Sequence, residues 1–284
     1  MLTLALILLS SCKKESSHDQ EIPDASSAAF SITTLTTTGK SYNTSNHTEN
    51  ARDIELIGDS LLYVHSRGTN TVEAFKLSNK GDLNSASHYA QFDVSDYIGT
   101  TSQGENGHGI YIKKEDLSKM WLFNRTEIWE FNFEQAGDLT TVSYSDYLDL
   151  SDYVERGHGI FFSPEGDNLY VDDRDKAMIH QFILNDNWNL SEIANYKSIS
   201  ISNYQEAVRS ISFNTNGTAM FLLDTSLKEI IAFDLATPWQ VETASYRESK
   251  NISLANPRGF TWSSDGTRAY IMNTADGIIY EYSN

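Results

Sequence analysis

The residues of this chain best placed to do chemistry recur at one spacing, Glu-x-x-(Arg/His)-x-(Ile/Phe). It reads Glu49-Asn-Ala-Arg52-Asp-Ile54, then Glu105-Asn-Gly-His108-Gly-Ile110, Glu155-Arg-Gly-His158-Gly-Ile160 and Glu206-Ala-Val-Arg209-Ser-Ile211. A fifth copy, Ala255-Asn-Pro-Arg258-Gly-Phe260, lacks the glutamate. Carboxylates beside imidazoles suit a metal: Glu105, His108, Glu155 and His158, joined by Asp173, could converge as oxygen and nitrogen ligands. With no cysteine among them, a structural calcium suits the set better than a redox metal. Carboxylates alone suit hydrolysis, which needs a pair about 5–10 Å apart with separated pKa values. Asp173, Asp224 and Glu155 are the residues such a pair would draw on. Each aligns with a basic neighbour that would hold it ionised, the wrong state for a general acid. No nucleophile elbow, phosphate loop or zinc motif accompanies them, and no cofactor is required.

Whatever these groups do, a repeat must position them. The basic residue recurs at 52, 108, 158, 209 and 258, a period near fifty that points to propeller blades. Each copy opens with a short apolar strand such as "GIFFSP" or "GFTWSS". A turn follows in three copies, "PEGDN", "NTNGT" or "SSDGT", with glycine at the position that tolerates φ > 0. The second strand is aromatic ("LLYV", "MWLF", "NLYV", "AMFL", "RAYI"), and the third alternates ("TVEAFKL", "EIWEFNF", "MIHQFIL", "EIIAFDL", "IIYEYSN"). A fourth carries "DLTTVSY", "WNLSEIANY" or "WQVETASY". The last copy stops after its third strand at Asn284, while "FSITTLTTTGKSY" (Phe30–Tyr42) has the character of a fourth strand. The expected fold is therefore all-β: a five-bladed β-propeller of four-stranded blades, the last closed by an N-terminal strand. Closure removes sheet edges that would otherwise carry unpaired backbone groups.

In such a fold the first strand lines the channel, and three polar rings are expected on one face. Arg52, His108, His158, Arg209 and Arg258 form the innermost ring. Ser66, Asn124, Asp173, Asp224 and Asn273, from second-strand ends, form the next, with Arg67, Arg125 and Arg174 beside it and Thr225 and Thr274 completing the set. Glu49, Glu105, Glu155 and Glu206 form the third. These residues are the candidate ligand contacts. They have a structural use too: a basic side chain starting strand one can bond the Asp or Asn ending strand two. A residue present in every blade points to scaffolding, because a ligand is rarely five-fold symmetric. Departures from the repeat are sharper clues. Blade two's lead-in "DYIGTTSQGENG" is about six residues longer than its counterparts. Asp172, Asp173 and Arg174 crowd one turn, and His65 and Arg67 crowd another. Tyr97, Tyr153 and Tyr204 occupy matching lead-in positions, where they could stack on sugars or pack the blade joint.

Composition agrees with strands: 15 Tyr, 13 Phe and 5 Trp against only 4 Pro in 284 residues. A net charge of −18 repels phosphate backbones, argues against nucleic acid as a partner, and favours a soluble monomer. "MLTLALILLSSC" is too short to span a bilayer and reads as the apolar part of a signal peptide over residues 1–11. Residues 12–28 read as a polar tether and 29–284 as the propeller.

Two resemblances sharpen this reading. "LSSC" resembles the lipobox of bacterial lipoproteins, which implies acylation of Cys12, the only cysteine in the chain. Lys13 rather than Asp follows it, which implies sorting to the outer membrane. "SPEGDNLYV", "SSDGTRAYI" and "ATPWQVETASY" resemble bacterial and phage propeller repeats akin to the YVTN and NHL types. That likeness implies fold far more than function. The expected role is a lipid-anchored binding module of the cell envelope for a glycan, peptide or protein. The alternative is a hydrolase, glycosidase- or lactonase-like, using carboxylates at the channel mouth.

Overall fold

The computed structural model describes residues 29–98 and 107–284; Cys12, the tether, Glu105 and the segment Thr100–Gly104 lie outside the described residues. The described chain folds into five four-stranded antiparallel sheets. Blade five takes in β1 (Thr36–Asn43) from the N-terminus. Blade one holds β2 (Ala51–Ile57), β3 (Leu61–Ser66), β4 (Thr71–Leu77) and β5 (Ala86–Asp93). Blade two holds β6 (Gly109–Ile112), β7 (Lys119–Asn124), β8 (Glu127–Phe133) and β9 (Val142–Asp149). Blade three holds β10 (Ile160–Phe162), β11 (Asn168–Asp173), β12 (Met178–Leu184) and β13 (Ile193–Ser200). Blade four holds β14 (Val208–Phe213), β15 (Ala219–Asp224), β16 (Glu229–Leu235) and β17 (Ala244–Asn251). Blade five completes the set with β18 (Pro257–Trp262), β19 (Arg268–Asn273) and β20 (Ile278–Ser283).

The first strands touch in a closed cycle: β2 meets β6, β6 meets β10, β10 meets β14, β14 meets β18, and β18 returns to β2. That cycle is the wall of the central bore. It is narrow because the residue after the basic position is glycine or serine in every blade but the first. A Cβ on Gly159 would lie 2.7 Å from the Ile211 nitrogen, and one on Gly259 would lie 2.8 Å from Asp53 Cα. The G-H-G pattern is thus a steric demand of blade contact. Burial falls outward: every residue of β15 is buried, whereas most of β9 is exposed. The core therefore sits between stacked sheets, not within one.

Closure follows the sequence expectation. β1 pairs antiparallel with β20, from Thr36 opposite Ser283 to Asn43 opposite Ile278. One position proves the equivalence of the fourth strands. Gly81, Gly137, Trp188, Trp239 and Phe30 all have positive φ, and each donates its N–H to the inner hairpin of its own blade. The rings of Trp188, Trp239 and Phe30 then cover the hairpin glycines Gly166, Gly217 and Gly266. Hydroxyls from three second strands lock neighbouring blades: Tyr63 to the Gly137 carbonyl (2.6 Å), Tyr170 to Trp239 (2.7 Å) and Tyr270 to Gly81 (2.8 Å).

Candidate functional site

Arg52, His108, His158, Arg209 and Arg258 do converge, closing around one mouth of the bore. It is too tight to admit a water molecule. Arg209 contacts the His158 ring, and the His108 and His158 rings meet edge to face at 4.3 Å. Burial, followed by repulsion from Arg258 and Arg174, pulls Arg209 down to about 9. Burial and then Arg52 pull Arg258 down to about 10. Burial, His108 and the arginines push His158 well below the usual imidazole range. A metal ion at His108 and His158 would enter this crowd of cations, which is an unfavourable place for one. Their expected partner Glu155 is exposed, with its backbone N–H turned to Asp173.

The second ring has a different partner from the one the sequence suggested. Its side chains bond the backbone of the lead-in segment, not the basic ring. Asp173 accepts N–H groups from Glu155 (2.7 Å) and Arg156 (3.2 Å), and from Asp175 and Lys176 across its own turn. Asp224 accepts from Glu206 and Ala207 (2.7 Å each), Ser226 and Leu227. Asn273 does the same for Asn256, and Ser66 for Glu49. Asn124 is buried at the matching position. Burial opposes ionisation of Asp173, but His180 and these N–H groups outweigh it and hold the carboxyl near 2. Asp173 and Asp224 are thus fully buried and committed to the joint.

The remaining departures from the repeat also serve packing. His65 is buried, its Nδ1 3.1 Å from the Gly109 carbonyl, and burial lowers it to about 4. Arg67, Arg125 and Arg174 stand where Thr225 and Thr274 send hydroxyls to the next blade, at the Pro257 and Ala51 carbonyls. The Arg67 and Arg174 charges are felt at Arg258. Tyr97 and Tyr204 stack on the outer-strand rings Tyr144 (5.4 Å) and Tyr246 (4.7 Å), and Tyr153 leans on Tyr196.

The larger cavity lies at the opposite mouth, where the first strands end. It measures about 330 Å³ and takes residues from all five blades. Tyr111, Phe161, Phe213 and Trp262 form its apolar wall; Lys114, Glu115 and Asn214 stand among them. The Lys114 ammonium lies 2.7 Å from buried Glu55 and within 5.6 Å of the Tyr111 and Phe161 ring centres. Burial raises Glu55, with Lys114 partly offsetting it. Trp262 is 6% exposed, and its indole N–H has no hydrogen-bond partner among the described residues. The residue pattern had pointed to ligands on the other face. The available signal was the aromatic residues closing the first strands of blades three to five.

No family model matches the chain, and no curated protein matches it in sequence. Solved structures are similar to it in backbone. A functionally unknown protein from Desulfotomaculum acetoxidans has 14% identity and a TM-score of 0.47, covering 79% of this chain and 63% of its own. A candidate 6-phosphogluconolactonase from Bacteroides uniformis has 14% identity and a TM-score of 0.46, covering 75% and 61%. This chain thus spans about three-fifths of the length of both. A luciferin-regenerating enzyme, at 9% identity and a TM-score of 0.53, is covered over 95% of its length by 86% of this chain. At 9% identity that last likeness, above a TM-score of 0.5, speaks for the fold alone.

Proposed function

We propose that the protein is a binding module of the bacterial cell envelope, tethered through acylated Cys12, that holds a sugar ring of a glycan in the aromatic cavity. One observation carries the reading: the roomy space on the axis is walled by aromatic rings and edged by an ammonium and an amide. Sugars present C–H faces that lie against aromatic rings and hydroxyls that need polar partners. A cavity of 330 Å³ falls within the range of about 300–1,000 Å³ typical of small-ligand sites. On this reading Arg52, His108, His158, Arg209 and Arg258 seal the far mouth and do not touch the ligand.

Calorimetric titration with oligosaccharides from cell-wall and exopolysaccharide sources tests the proposal. Exposed Thr215 sits on the cavity rim, so Thr215→Trp should block it without disturbing the core. Binding should fall about tenfold or more in that variant, with its melting temperature unchanged, and in Lys114→Ala, whose melting temperature should drop because buried Glu55 loses its ion-pair partner. Equal affinity in wild type and both variants would sink the reading, as would a flat titration with every glycan; a peptide or protein partner would give the latter. Cys12→Ser should release the protein from the membrane fraction. The hydrolase alternative draws on Glu115, a cavity residue raised by burial, whose charge and that of Glu55 both reach Tyr111. Glycan turnover abolished in Glu115→Gln would favour it.

A further inference from the structure

Blade one departs from the repeat at three positions that meet in space. In blades two to four a lead-in tyrosine packs on an outer-strand tyrosine: Tyr97 on Tyr144, Tyr153 on Tyr196, Tyr204 on Tyr246. The lead-in turns are equivalent, since each of these residues donates its N–H three residues back, as His47 does to Thr44. The outer positions are equivalent too, since His88 faces Phe75 as those tyrosines face Phe131, Phe182 and Phe233. Blade one therefore replaces both tyrosines by histidine, and the imidazoles stack at 3.9 Å and 12°. The facing third-strand position is Trp129, His180 or Ile231 in the other three blades and Glu73 in blade one.

We propose that His47, Glu73 and His88 bind one divalent transition-metal ion of zinc-like preference, tying the segment that follows the closing strand to blade one. The donor atoms all lie within 4.8 Å of one another. One ion bound by all three would take each donor at about 2 Å, with water in the fourth position. His88 Nε2 already stands 2.8 Å from Glu73. The Glu73 carboxylate is 1% exposed, and histidine is its ion-pair partner among the described residues. A buried carboxylate is costly without a cation. Its other oxygen is fixed by the Thr71 hydroxyl at 2.6 Å, which Thr69 and Ser66 support in turn. Such an outer layer orients a carboxylate ligand. The His88 side chain is 22% exposed, so an ion has a way in. The ion would hold the seam where the ring closes: Thr44, three residues before His47, bonds the Gly277 carbonyl of blade five.

The test uses the full chain after chelator treatment, titrated with Co²⁺ for its visible d–d absorption and then with Zn²⁺ in competition. Saturating Zn²⁺, at about 100-fold over its Kd, should raise the melting temperature by about 5–10 °C, while Ca²⁺ should not. The double variant His47→Tyr, His88→Tyr writes in the tyrosine pair of the other blades and should therefore fold. It should show no Co²⁺ absorption and no Zn²⁺ shift. Glu73→Gln should weaken Co²⁺ binding at least tenfold. Absence of absorption in the wild type, or an equal Zn²⁺ shift in the double variant, would overturn the proposal.

Discussion

At the scale of single residues, two adjacent aspartates show how environment divides like groups. Asp173 is held ionised by converging N–H donors, so its stabilisation exists above the unfolded pKa and disappears as pH falls from about 4 toward 2. Asp172 has the opposite sign. Burial, partly offset by the Gly159 and His158 N–H groups and by Arg209, pushes it up to about 7. Among the described residues its second oxygen has no hydrogen-bond partner, with His158 Nδ1 3.8 Å away. A raised carboxyl favours the folded state below the unfolded pKa and loses that advantage as pH climbs from about 4 through 7. Asp172→Asn keeps the acceptor for Gly159 and removes the titration. Urea melts should therefore flatten between about pH 4 and 7. At pH 8 the variant should gain on the order of 3 kcal/mol over wild type. An unchanged pH profile would mean that Asp172 is solvated.

At the scale of elements, blade packing rests on what the first strands omit. Gly159 meets the β14 backbone with no side chain between them. Gly159→Ala must push a whole strand, because no flexible side chain stands in the way, and should cost about 2–3 kcal/mol in a denaturant melt. Gly39 is the contrast. It has φ of 77° and nothing within 4 Å of where a methyl would sit, so Gly39→Ala should cost only the backbone strain of about 1–2 kcal/mol. Much of this was legible in the sequence. The fifty-residue period, the hairpin glycines and the odd fourth strand each mark a local backbone requirement. The ring that holds Arg52 and His108 was legible too, since strand alternation fixes the side its members share. The partners of Asp173 and Asp224 were not, because a backbone N–H is present at nearly every position and leaves no trace in residue type.

At the scale of the whole molecule, one strand decides whether the ring exists. Without Thr36–Asn43, β20 becomes an open edge. A variant lacking that segment should lose its single cooperative thermal transition and associate, as read by calorimetry and light scattering. A sharp monomeric melt equal to wild type would contradict the latch. The two mouths of the bore also differ: cations close one and aromatics line the other.

The sequence by itself determined the repeat, the strand order within each blade and the borrowed strand that completes the ring. Those properties follow from local propensity and from pairing rules that depend on spacing alone. Only the tertiary structure decided which mouth is open, because a cavity is the volume left when five strand ends of different shapes meet. The same is true of His47, Glu73 and His88. They belong to the lead-in turn and to the paired strands β4 and β5, and only the folded blade places them against one another.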